Sequence, residues 1–125
     1  MVTPKRLPRH LYQGERTCAF TACTRERAKI FVRESDVNTC VEYLGEAAQS
    51  SNCVVPVYCF MPDHLHVMFK GLGEGADMLA AMTQFKRLSG LWMFRQKLSG
   101  WQVSFYDHNL RQHEDWRNHV RYIAE

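Results

Sequence analysis

Residues 58–71 read YCFMPDHLHVMFKG, and the second half of that stretch alternates in hydrophobicity with a period of two. In an extended chain His64, His66, Met68 and Lys70 project to one side, while Leu65, Val67 and Phe69 project to the other. The preceding run, residues 53–60 (CVVPVYCF), is almost unbroken in its apolar character. That suits a strand buried on both faces, with Pro56 placed where no ladder hydrogen bond is required. Met61-Pro62-Asp63 breaks the pattern and supplies a turn. The segment is expected to form a hairpin with one polar and one apolar face.

Working outward, residues 16–24 (RTCAFTACT) read as an earlier strand that turns Cys18, Phe20 and Ala22 to one side. Residues 34–50 (ESDVNTCVEYLGEAAQS) follow as a helix with Val37, Cys40, Val41 and Leu44 as its buried stripe. Ser35 is its expected cap, and Glu34 and Asp36 suit the positive end of the helix dipole. After the glycine-rich GLGEGAD, a long helix is predicted over about residues 78–98, with Ala81, Phe85, Leu88 and Trp92 inward and Gly90 a point of interruption. A short aromatic strand (WQVSFYDH, residues 101–108) and a last helix over about 114–124 complete the chain. The order β-α-β-β-α-β-α predicts an α+β fold: a ferredoxin-like antiparallel sheet with helices mainly on one face.

The chain has 125 residues, which suits one domain spanning 1–125 behind an irregular basic arm at 1–14. Sixteen basic and thirteen acidic side chains leave a net charge of only +3, so the distribution carries more than the total. No acid occurs from Met78 to Gly100, where Lys86, Arg87, Arg95 and Lys97 lie, and Arg25, Arg27, Lys29 and Arg33 form a second cluster. Such clusters suit a phosphate backbone or a solvated face. The five cysteines form no CxxC pair and match no usual zinc spacing, so they read as reduced core residues of a cytoplasmic protein. No window approaches the roughly 18 apolar residues of a membrane span, and no signal-peptide core is visible at the N-terminus.

The histidines admit two readings. Both are ordinary polar residues on a wet sheet face, or they converge on one ion, because side chains two apart on a strand project in parallel. Neutral imidazole suits Mn²⁺, Fe²⁺ or Zn²⁺ well and Mg²⁺ less well, and two ligands leave positions for substrate oxygens.

CFMPDHLHVMF resembles the histidine-hydrophobic-histidine strand of the HUH endonucleases, in particular the single-tyrosine transposases that act on single-stranded DNA. AFTACTRERAKIF, FKRLSG, FYDHNLR and EDWRNHVRYIAE resemble further segments of that group, closest to the REP-associated tyrosine transposases. The resemblance implies His64 and His66 as ligands of a divalent ion, Mg²⁺ or Mn²⁺, and Tyr122 in RYIAE as a nucleophile that forms a 5′-phosphotyrosine link. It implies single-stranded or hairpin DNA as partner, a location at the bacterial nucleoid, and either a monomer or a homodimer. On the last helix Tyr122 lies about 120° from Trp116, off the stripe of Trp116, Val120 and Ile123. Tyr106, flanked by Trp101 and Phe105, reads as a packing residue, Tyr58 as core, and Tyr12 as a base-stacking or surface residue. The resemblance places the family's third ligand one turn beyond the tyrosine, at position 126, whereas the chain given ends at Glu125; either the chain is shortened there or another group completes the site, with His108, Asn118 and Glu125 as candidates. Arg6, Arg9 and Arg16 in the arm and Lys86, Arg87 and Arg95 in the acid-free helix are the expected DNA contacts, with Trp92, Trp101 and Trp116 available for stacking. A module that binds DNA without cutting it, and a phosphoesterase that uses water, are the alternatives.

Overall fold

The structure, a computed structural model, describes residues 6–109 of the chain. Four strands, β1 (Thr17–Cys23), β2 (Cys53–Met61), β3 (His64–Gly71) and β4 (Tyr106–Asn109), and two helices, α1 (Glu34–Ser50) and α2 (Met78–Arg95), follow one another in the order β1-α1-β2-β3-α2-β4. The sheet order is β2-β3-β1-β4 and every pairing is antiparallel. This is the expected ferredoxin-like α+β arrangement. The expected last helix lies outside the described residues.

The alternation read from the sequence sets the two faces of the sheet. Cys18, Phe20 and Ala22 of β1 and Leu65, Val67 and Phe69 of β3 are buried and join Cys40, Leu44, Met82 and Phe85 of the helices in one core. Burying a large apolar side chain of this kind contributes about 1.5–3 kcal/mol. Phe20 sits edge-on to both Phe69 and Phe105, with ring centroids 6.0 and 5.5 Å apart.

Three elements, β2, α1 and α2, depart in detail from expectation. β2 is an edge strand and not one covered on both faces: Val54 and Tyr58 are exposed, so Tyr58 is not core. Between Val54 and Val57, β2 spends one residue more than β3, and this bulge accommodates Pro56. The N-cap of α1 is Arg33 and not Ser35; its carbonyl accepts from Asp36 and Val37, and no side chain caps the helix. In α2, capped by Asp77 through Ala80 N–H at 2.8 Å, the helix passes through Gly90 unbroken and buries Phe85, Ser89 and Met93 in place of Leu88 and Trp92. Ser89 goes inward because its hydroxyl donates to the Phe85 carbonyl at 2.7 Å and accepts the indole N–H of buried Trp101 at 2.8 Å.

The basic N-terminal segment is folded against the domain from Arg6 onward. Tyr12 is fully buried; its hydroxyl donates to Asp107 at 2.8 Å and accepts from Leu7 N–H at 3.0 Å. Tyr12 is thus neither a surface residue nor free to stack on a base.

Candidate functional site

The β2-β3 hairpin brings the histidines to the sheet face opposite the helices. There His66 pairs across the strands with Thr21 and Cys59, and His64 with Cys23 and Met61. Both imidazoles are half-buried, with ring centroids 4.9 Å apart and ring planes at 88°.

Each ring is anchored at Nδ1. His64 Nδ1 lies 2.7 Å from Asp63 Oδ1, and His66 Nδ1 lies 3.0 Å from Thr21 Oγ1. A carboxylate only accepts, so a neutral His64 donates from Nδ1 and keeps its lone pair on Nε2. Among the described residues neither Nε2 has a hydrogen-bond partner. Burial first, and then the neighbouring His64, lower the pKa of His66 and favour its neutral, ligating form. Donating one imidazole N–H to a carboxylate is a usual way to aim the other nitrogen at a metal, and Thr21 does the same for the His66 tautomer that donates from Nδ1. The donor set therefore fits a divalent ion.

Asp63 is itself held. Arg27 Nε donates to its Oδ2 at 3.0 Å, and the hydrogen bonds from His64 and Arg27 bring its carboxyl down to about 2. Its backbone carbonyl accepts from Thr24 N–H and the Thr24 hydroxyl, each at 3.0 Å, and the Pro62 carbonyl accepts from Ile30 and Phe31. The Pro62-Asp63 turn is thus clamped by residues 24–31. Glu26 and Arg27 take left-handed φ values of 56° and 55° within that loop, a costly conformation for residues with a Cβ.

Among the described residues no group of three His, Cys, Asp or Glu side chains converges to hold a metal. Tyr122, Asn118 and Glu125 lie outside the described residues, and of His108 only the backbone is described, paired with Ala19. Tyr106 pairs with Thr21, which places it on the histidine face. It is 54% exposed and not the packing residue its neighbours suggested.

A family model described as "Transposase IS200 like" matches residues 15–125. The chain belongs to that family. No curated protein matches it significantly. Among solved structures it is similar to a REP-associated tyrosine transposase bound to a REP hairpin, with a TM-score of 0.75 at 20% identity over 98% of this chain and 70% of that one. It is also similar to a protein of Deinococcus radiodurans R1 assigned as a transposase, with a TM-score of 0.65 at 16% identity over 95% of this chain and 94% of that one. These likenesses establish the shared fold.

In this IS200-like transposase two of the six expected DNA-contacting cations, Arg6 and Lys86, meet over the Phe105 ring, 4.2 and 5.3 Å from its centroid. Arg6 donates to Asp107 at 2.7 Å and to the Phe105 carbonyl at 2.8 Å, and Arg9 pairs with Asp77 at 2.7 Å. Lys86 donates to the carbonyls of Gln102 and Val103. Arg16, Arg87 and Arg95 are exposed. Sequence reading passed over Asp63, Arg27 and Thr21 as orienting groups. Only Asp63 left a visible signal, by standing next to His64.

Proposed function

We propose that the chain is a metal-dependent transposase that cleaves and rejoins single-stranded DNA through a 5′-phosphotyrosine on Tyr122, with His64 and His66 holding Mg²⁺ or Mn²⁺. The observation that carries the metal assignment is the pair of imidazoles anchored at Nδ1 by Asp63 and Thr21. Family membership supports DNA strand transfer, and the hairpin held by a fold neighbour supports hairpin-associated sites, as in the REP-associated group. In this reading residues 1–125 are one catalytic unit, and the helix over about 114–124 carries the tyrosine.

A bound ion would supply charge stabilisation at the scissile phosphate. The Tyr122 oxygen attacks phosphorus in line, the bond from phosphorus to the 3′ oxygen breaks, and a free 3′-hydroxyl leaves. Attack by a DNA 3′-hydroxyl reverses the step and releases the tyrosine. The phosphodiester energy is conserved in the covalent link, so no nucleotide is consumed. Asp63 and Thr21 keep the imidazoles from rotating through this cycle, and Arg27 holds the Asp63 carboxylate in place.

The expected outcome for His64→Ala and His66→Ala is loss of Mn²⁺ binding, read by electron paramagnetic resonance, and loss of hairpin-oligonucleotide cleavage, with DNA binding retained. Cleavage that survives both substitutions, or is indifferent to a chelator, contradicts the metal assignment.

A further inference from the structure

At the C-terminal end of α2, on the layer away from the histidines, lies a cavity of about 330 Å³ lined in part by Arg25, Lys86, Phe94, Trp101 and Gln102. Phe94 is 79% exposed, more than any other described aromatic side chain. Of the tryptophans expected to stack on bases, Trp101 is 6% exposed with its indole N–H bound to Ser89, and Trp92 packs against the core. The α2 side of the cavity is cationic: Arg87, Arg95 and Lys97 are exposed and no acid occurs between Asp77 and Asp107, whereas on the other side exposed Arg25 is followed by exposed Glu26. Lys86 is committed to backbone carbonyls, whereas the Arg25 guanidinium has no partner among the described residues.

The cavity connects to the histidine pair through one turn. Arg25 N–H donates to the Gly100 carbonyl at 2.8 Å at the cavity wall, and Arg27, two residues on, holds Asp63. Thr24, just before them, pairs with Trp101 and donates to the Asp63 carbonyl. Residues 24–27 thus join the cavity wall to the turn that orients His64.

We propose that this cavity seats one unpaired nucleotide of the cleaved strand, its base against Phe94 and its phosphate on Arg25, and so contributes to sequence choice beside the cut. The inference rests on the DNA reading above. An exposed aromatic face beside a free arginine fork is the recurrent chemistry of single-strand binding. The acid-free, cation-rimmed lining favours this polyanion over an apolar peptide or a second copy.

The test uses the full chain carrying Tyr122→Phe, without divalent ion, so that binding is read apart from cleavage. Fluorescence anisotropy with a labelled single-stranded oligonucleotide is expected to show Phe94→Ala weakening binding by roughly 5- to 150-fold. Phe94→Trp should restore it, duplex binding should be unaffected, and Arg25→Gln should flatten the salt dependence by about 0.7 in slope. A 2-aminopurine scanned along the strand should be quenched at one position and released by Phe94→Ala. Unchanged affinity of Phe94→Ala overturns the cavity proposal alone. Absence of single-strand binding by the parent overturns the DNA reading and the proposal together. A change in sedimentation without a change in DNA affinity assigns Phe94 to self-association and also overturns it.

Discussion

Asp63 ties the hairpin turn to the His64 imidazole and to Arg27. Its carboxyl is lowered from 3.8 to about 2 by the hydrogen bonds from His64 and Arg27. Because the folded value lies below the unfolded one, the associated stability is present in full above about 3.8 and is lost as pH falls through about 2. Carboxyl carbon NMR should place its titration near 2, and Asp63→Asn should weaken Mn²⁺ binding by about 10- to 100-fold while leaving the fold intact. Binding indifferent to the substitution would remove Asp63 from the proposed metal site. At this scale the histidines were legible because alternation alone puts them on one face. Thr21 was not, because it meets His66 across 45 residues and only through strand register. Tyr106 was misread for the same reason: its neighbours in sequence are buried, whereas its register partner Thr21 lies on the opposite face.

Among the elements, both helices and the hairpin were legible from periodicity, with the cap of α1 placed two residues late at Ser35 and the end of α2 three residues beyond Arg95. What periodicity missed were choices made by hydrogen bonding and sheet position. Ser89 is buried to satisfy Trp101, which no hydrophobic pattern reveals, and the apolar run of β2 serves an edge strand whose flank meets α1. Gly71 closes β3 for a reason visible only in three dimensions. A Cβ there would collide with the Gly14 carbonyl oxygen and lie 2.8 Å from the Ala76 methyl. Gly71→Ala is expected to cost about 1–3 kcal/mol, read as an earlier urea midpoint at unchanged slope. An unchanged midpoint would show that the Gly14 turn yields freely.

Across the whole molecule, the N-terminal segment is a structural tie between the first and last described elements. Arg6 and Tyr12 both reach Asp107 of β4, and the Arg6 guanidinium stacks 4.2 Å from the Phe105 ring centroid. Composition alone made residues 1–14 look like a free arm, since proline and arginine conceal one buried tyrosine. Tyr12→Phe leaves the Leu7 N–H without its acceptor and should cost about 1–3 kcal/mol in thermal or urea unfolding; no change would make the tie incidental. The described core places the histidines and the proposed nucleophile is Tyr122, so the proposed reaction requires the two to meet. The most direct measurement incubates an end-labelled single-stranded hairpin oligonucleotide with Mn²⁺ and resolves the products on a denaturing gel. The expected result is a protein–DNA adduct that disappears with Tyr122→Phe, and cleavage that continues unchanged in that variant would contradict it.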